Sequence, residues 1–280
     1  LTGTSVPSFL TFTATTGVLS GTPIASDTGA HSVVITATDS AGATATQSFT
    51  ITVTGTSLTM TITSSTVGSG GSTNTAAVSL TYTSSATTTN FIVDDITVTG
   101  CTLSSFTTTS STVYGSTCTA SSDGTPTVVV AAGTFTDGDG DDNSASNTYT
   151  WTYDATAPVF ADGATSYDSV AEGTTAVADY DVTDANGIDT CTLSGDDSGD
   201  FTASKVDSDT CRIAFTSAPD YEDPDDTGAN NVYNANMIAT DAAGNTDTLA
   251  LTITVTDVNE APSVTGGNTG AVTEDASTTT

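Results

Sequence analysis

The chain has 280 residues, and its 33 Asp plus Glu against 2 Lys plus Arg leave a formal net charge of −31. Such an acidic surface repels nucleic acid and anionic membranes, excluding both as partners, and no apolar run is long enough for membrane insertion. Thr and Val favour strands while Gly, Asn and Asp clusters supply frequent turns, so the composition predicts an all-β chain of two to four sandwiches of about 100 residues each.

In chain order, the first clear element is residues 37–54, ATDSAGATATQSFTITVT. It reads as a strand ending in Ala-Thr-Asp, a tight Gly turn, and a closing strand with Phe49, Ile51 and Val53 on one face. His31, the one histidine, falls at the start of the preceding strand, where a structural role is expected. Residues 77–82 (AVSLTY) alternate in the same way. Residues 135–154 form a looser copy of the hairpin, ending in TYTWTY, where Tyr149, Trp151 and Tyr153 share a face and read as core packing. Residues 239–256, ATDAAGNTDTLALTITVT, repeat the first hairpin nearly residue by residue and place Leu249, Leu251, Ile253 and Val255 on one face. Three such hairpins predict three domains.

The four cysteines fall into two local pairs, Cys101 with Cys118 and Cys191 with Cys211. Neither has metal-knuckle spacing, and an even count in a Thr-rich β chain predicts disulfides and an oxidising compartment. Each closes a loop of about 20 residues and contributes about 3 kcal/mol in the chain-entropy view. Residues 100–107 (GCTLSSFT) match the start of TCTLSGDDSGDFT at 190–202, so the two bridges are expected at equivalent places in two related sandwiches.

These signals set the expected domains: 1–55, closing strands only; 56–156; 157–260; and 261–280, the opening strand of a further repeat. The first segment has room for about four strands, fewer than a sandwich needs. The sequence starts at Leu1 with no signal peptide, so a piece of a longer precursor is expected. No Asn-x-Ser/Thr sequon occurs.

Catalysis is not expected. The GDDSGD stretch around Ser198 has no histidine base in its own domain, so no triad can be assembled. Lys205 is placed in an acidic turn, which disfavours an isopeptide bond, and Arg212 is expected to pair with a neighbouring carboxylate. The run Asp137, Asp139, Asp141, Asp142, Asn143, with Asp94 and Asp95 expected at the same pole, has Asp-x-Asp-x-Asp spacing but lacks the Gly and Glu of an EF-hand loop. A solvated acidic turn and a calcium site both remain open there. The runs at Asp196, Asp197, Asp200 and at Asp223, Asp225, Asp226 read as solvated loop charge.

Several of these segments carry a family resemblance. Residues 6–54 resemble the later strands of bacterial Putative-Ig or dystroglycan-type cadherin-like domains. Residues 57–157, with FIVDDITVTGCTLSSFT and WTYDATAP, resemble bacterial Ig-like repeats of large surface proteins. Residues 158–262 resemble a cadherin repeat, with VAEGT, DANGID, PDYED, ATDAAGN and DVNEAP in the cadherin order. The tail is similar to the start of a repeat of giant adhesins of the Vibrio, Colwellia and Bradyrhizobium type.

The resemblance implies calcium held at the two poles of the third domain. At the lower pole it implies Glu172, Asp220, Glu222, Asp257, the Asn259 carbonyl and Glu260, although Glu260 and Ala261 depart from the usual linker Asp and Asn. At the upper pole it implies Asp184, Asn186, Asp241 and Asp154, with Asp123 as a further contributor. The expected fold is therefore all-β, with tandem Ig-like and cadherin-like β-sandwiches arranged as an elongated rod. The expected function is a calcium-rigidified spacer of a bacterial adhesin or extracellular fibre, at the cell surface. Its partners would be neighbouring repeats of the same or identical chains, and host or microbial surface glycans or proteins. One alternative is a filament subunit polymerised by strand complementation between its incomplete ends. Another is a carbohydrate-binding module, for which Trp151, Tyr221 and Tyr233 are the aromatic candidates.

Overall fold

The structure, a computed structural model, describes residues 2–55, 57–261, 263–264 and 272–273. The chain divides into two compact units, Leu1–Gly71 with Ala76–Trp151, and Ser72–Thr75 with Thr152–Thr280.

The first repeat of unit one contains β1 (Thr2–Ser5), β2 (Leu10–Thr13), β3 (Val18–Gly21), β4 (Gly29–Thr38) and β5 (Thr44–Val53). They form a sheet in the order β1-β4-β5 and a separate β2-β3 hairpin. This is one strand more than the length suggests. β4 and β5 pair without interruption from Gly29↔Val53 to Thr38↔Thr44. The predicted apolar face of β5 is present but not buried. Phe49 is 39% exposed, Ile51 and Val53 are half-buried, and Val33 is the buried hydrophobic residue among those described in this repeat. A three-stranded sheet with one hairpin lacks the second full layer that closes a sandwich core.

The second repeat of unit one contains β6 (Met60–Ser64), β8 (Ala77–Ser84), β9 (Ile96–Thr99), β10 (Cys101–Thr108), β11 (Val113–Ala120), β12 (Thr127–Val130) and β13 (Tyr149–Thr150), while β7 (Ser72–Thr73) and β14 (Thr152–Tyr153) pair with each other and belong to unit two. The two sheets of this repeat run β10-β11-β8-β6 and β13-β12-β9. Alternation in β8 buries Val78, Leu80 and Tyr82, and Tyr149 and Trp151 are also buried. Phe91 anchors an aromatic cluster, with ring centroids 4.9 Å from Tyr114 and 5.0 Å from Phe135. The loose hairpin at 135–154 is held by one bridge, Thr136↔Asp142. Asn143 is buried and organises the loop. Its Oδ1 accepts from the Thr134 and Phe135 N–H groups at 2.9 and 3.1 Å, and its Nδ2 donates to the Ala131 carbonyl at 2.7 Å.

All three hairpins nevertheless share one turn. Asp39, Asp137 and Asp241 each accept, through Oδ1, the backbone N–H groups two and four residues later at 2.8–3.0 Å. The glycine three residues on has φ of 87°, 88° or 91°, a left-handed conformation that glycine adopts without steric penalty.

Unit two carries β15 (Val159–Phe160), β16 (Thr165–Ala171), β17 (Ala176–Thr183), β18 (Ile188–Ser194), β19 (Phe201–Asp207), β20 (Thr210–Phe215), β21 (Val232–Asp241) and β22 (Thr246–Thr256). The sheets β15-β17-β20-β19 and β16-β22-β21-β18 form the two layers of a sandwich. Leu249, Leu251, Ile253 and Val255 of β22 are all buried against Tyr180, Ile213, Phe215, Tyr233 and Met237. Full burial of each such side chain contributes about 1.5–3 kcal/mol. β16 runs parallel to β22 through seven register pairs, Thr165↔Ala250 to Ala171↔Thr256. Beyond the sandwich, β23 (Ser263–Val264) pairs antiparallel with β24 (Val272–Thr273). The rest of the opening strand expected over 261–280 lies outside the described residues.

Both disulfides form, each with Cα atoms 5.7 Å apart, but they are not equivalent. Cys101 and Cys118 lie on β10 and β11, neighbours in one sheet. Cys191 and Cys211 lie on β18 and β20, which belong to different sheets. Gly100 (φ 71°) ends β9 just before Cys101, so the chain has already crossed between sheets there; in the third repeat the break comes after the cysteine, at Gly195 (φ 104°).

Three further expectations are corrected. Asp197 and Asp226 are buried rather than solvated. Asp197 accepts from the Thr227 and Asn234 N–H groups at 2.8 and 2.6 Å, and Asp226 from those of Gly228, Asn230 and Asn231 at 2.9–3.1 Å. Burial alone would raise the Asp197 carboxyl, but the hydrogen bonds from Asn234 and Thr227 hold it below its ordinary value. Lys205 lies within strand β19, not a turn, and donates to the Ile188 carbonyl. Arg212 does pair with a neighbouring carboxylate, Asp179, through two bonds of 2.7 Å. Both side chains are about half exposed, so that pair adds little stability.

Candidate metal centres

Two groups of three carboxylates converge among the described residues. Each group has one ligand oxygen per residue, all within 4.8 Å of one another.

The first is Glu172, Asp220 and Glu222. β16 ends at Ala171, and Gly173 (φ 72°) turns the chain while its N–H donates to the Pro219 carbonyl. This places buried Glu172 beneath the 216–231 loop. Its Oε2 accepts the Tyr221 N–H at 2.8 Å, and its Oε1 accepts the Val258 N–H at 2.7 Å. One carboxylate thus pins both the loop and the segment that leaves β22. Asp220 Oδ1 accepts the Glu222 N–H at 3.0 Å. Glu222 Oε1 is buried with no hydrogen-bond partner. Burial first, then the charges of Glu172, Asp257 and Glu260, raises the Glu222 carboxyl above its ordinary range. Asp257 and Glu260 therefore act on the group electrostatically but contribute no ligand atom to the convergent three. Asn259 donates to the Glu260 carbonyl at 3.3 Å.

The second is Asp154, Asp184 and Asp241, with Asp154 and Asp241 buried. Asp154 follows β14, and its N–H donates to the Thr73 carbonyl at 3.2 Å. Its Oδ2 accepts from Asn186 Nδ2 at 2.6 Å. Asp184 Oδ1 accepts the Asn186 N–H at 2.8 Å, while its Oδ2 is buried with no partner. Asp241 Oδ1 is held by the hairpin turn and its Oδ2 accepts from Asn245 Nδ2 at 2.7 Å.

Three anionic side chains brought together around a partnerless buried oxygen are costly without a counter-charge. Hard, oxygen-only donors arriving from several loops suit calcium, which takes six to eight oxygens in flexible geometry. The donor sets of both groups fit such an ion.

Other candidates do not join these groups. Asp137 and Asp139 form a local acidic turn, Asp95 caps the Ile92 N–H at 2.8 Å, and Asp123 is exposed; none belongs to a convergent three. Two of the three aromatic candidates for a sugar platform are corrected. Trp151 and Tyr233 are 0% and 1% exposed in two separate cores, and Tyr221 is half-buried. Asn245 and Asn74, which hydrogen-bond each other at 3.2 Å beside the second group, were not evident from sequence. The only signal was Asn at the last position of ATDAAGN, where the first hairpin has Ala43.

Two family models match parts of the chain. Residues 1–54 match the family model described as Putative Ig domain, and residues 54–153 match that of Bacterial Ig-like domain. No curated protein matches the chain. Among solved structures, protocadherin gammaB7 EC3-6 is 16% identical, with 94% of this chain and 67% of that one covered and a TM-score of 0.31. Drosophila N-cadherin EC1-4 is 18% identical, with 93% and 68% covered and a TM-score of 0.32. Human desmocollin-1 is 15% identical over 92% of this chain, which spans about half (53%) of that ectodomain, with a TM-score of 0.30. Among the described residues, no helix is long and apolar enough to cross a membrane.

Proposed function

We propose that this tandem segment of Ig-like and cadherin-like β-sandwich repeats is a calcium-stiffened structural spacer of a bacterial adhesin or extracellular fibre. It would act outside the cell, at the cell surface, with neighbouring repeats as its immediate partners. The observation that carries this reading is the placement of the two carboxylate groups. One contains Asp154, on the segment leading into the third sandwich, and the other contains Glu172, which holds the segment leading out. A cation shared among the three carboxylates of each group ties those segments to the sandwich, removes backbone freedom and neutralises clustered charge. A stalk with those properties presents whatever adhesive element it carries at a distance, and its own chemistry need only be mechanical.

The test is calcium titration by calorimetry, paired with small-angle scattering in calcium and in chelator. Binding with a longer, stiffer particle supports the spacer. Absence of calcium binding at millimolar concentration refutes it. β5 is an edge strand with an open apolar face, which supports a second reading, in which a strand from another copy pairs with that edge and builds a filament. Concentration-independent monomers in sedimentation would exclude that reading.

A further inference from the structure

We infer that residues 72–75 form a strap whose attachment is coupled, through Asn245, to cation binding at Asp154, Asp184 and Asp241. The inference rests on the calcium reading of that group and adds a positioning residue to it.

The strap belongs to the same compact unit as the group. It pairs in parallel with β14, Ser72 with Thr152 and Thr73 with Tyr153, and the Thr73 carbonyl accepts the Asp154 N–H. Asn74 then reaches the β21–β22 hairpin twice. Its backbone N–H donates to the Ala243 carbonyl at 3.3 Å, and its Nδ2 donates to Asn245 Oδ1 at 3.2 Å. The Asn245 amide nitrogen faces three acceptors: the Asp154 carbonyl at 2.9 Å, the Thr156 carbonyl at 3.2 Å and Asp241 Oδ2 at 2.7 Å.

That nitrogen has two hydrogens for three acceptors. A cation that takes over Asp241 Oδ2 frees one hydrogen, and both then serve the two main-chain carbonyls of the 154–156 segment. The opposite end of the same amide is held by the strap. Cation binding and strap attachment therefore favour each other, and thermodynamic linkage requires the two effects to be equal in size. Asn245 is a positioning residue here, since it orders the ligands and the strap without being needed as a ligand.

Ala is compatible with the turn at this position. In the first hairpin Ala43 occupies the equivalent place, and its N–H reaches Asp39 Oδ1 at 2.9 Å, as that of Asn245 reaches Asp241 Oδ1 at 2.8 Å.

The experiment uses the whole chain with the Glu172 group silenced by Asp220→Asn and Glu222→Gln. Calcium alone is the probe, read by calorimetry and by hydrogen exchange of the Asn74 and Asp154 amides. We expect calcium to slow those amides at least about fivefold, the lower end of ordinary coupling. Asn74→Ala should weaken calcium affinity by up to the same factor, and Asn245→Ala, which also loses its bonds to the 154–156 carbonyls, by at least as much, while both leave the sandwich cooperatively folded. If calcium binds all three proteins equally and the two amides exchange at unchanged rates, the strap inference is overturned and the cation site stands. If calcium fails to bind the parent protein, the site and the inference fall together.

Discussion

Glu172→Gln probes the lower group most directly. The carboxylate accepts two backbone N–H groups, from Tyr221 and Val258, at 2.8 and 2.7 Å. Glutamine has one acceptor oxygen, so one of these donors must face an amide NH2 instead. A hydrogen bond to a charged group is worth about 1.5–3 kcal/mol, so the cation-free variant should lose about that much. Part of the loss is offset because the Glu172 charge no longer opposes that of Glu222. Calcium makes the contrast sharper. At a concentration about 100-fold above its Kd, one bound ion stabilises the folded state by about 2.7 kcal/mol. The variant, lacking one of three convergent carboxylates, should forfeit most of that gain. Urea denaturation of both proteins, in calcium and in chelator, measures each quantity. An equal calcium-induced gain in the two proteins would refute the assignment of Glu172 as a ligand. An unchanged cation-free midpoint would refute its role in pinning the loop and exit segment.

Acidity provides a second test. Glu222 is raised by burial and by Glu172, Asp257 and Glu260, and Asp200 by burial and by Asp197, Asp225 and Asp226. A carboxyl raised in the folded state binds its proton more tightly there, so stability increases as pH falls through its folded pKa. In chelator, stability should therefore rise as the pH is lowered through the raised folded-state pKa values of Glu222 and Asp200, then fall on stronger acidification as lowered groups such as Asp197 take up protons. Saturating calcium should remove the part of the initial rise due to Glu222 and leave the part due to Asp200, and denaturation midpoints across pH give the answer. Replacing Cys191 and Cys211 by Ala should cost about 3 kcal/mol or more, from loop entropy plus a core cavity between the sheets, measured by the shift in urea midpoint. Leu251→Ala should cost about 2–5 kcal/mol in the same assay, because its side chain is 2% exposed. Under tension applied through residues 157 and 258, the seven parallel pairs of β16 with β22 are loaded together in shear. Ser166→Pro should lower the rupture force in single-molecule pulling, since proline removes a backbone donor and disrupts the ladder; an unchanged force would show that the clamp lies elsewhere.

Much of this molecule was legible in the order of its residues. Alternation of period two identified β5, β8 and β22, because successive side chains of a strand point to opposite faces, although only β8 and β22 bury the apolar one. The Thr-Asp-x-x-Gly turn recurred in three places because a short acceptor side chain and a glycine free of a Cβ satisfy the same local hydrogen bonds wherever they occur. Those are properties of a few neighbouring residues. Questions involving distant segments needed the folded chain. The matching Cys-Thr-Leu-Ser stretches give no hint that one cysteine pair lies within a sheet and the other joins two sheets, since that depends on where the chain crosses between layers. Asp197 and Asp226 look like any acidic loop until backbone N–H groups close around them. Asn74 and Asn245 are 171 residues apart, and no local pattern reports a contact made only when the strap and the hairpin have each taken their place. Local periodicity and turn chemistry are encoded by neighbours; partnership between loops arises only when packing brings their ends together.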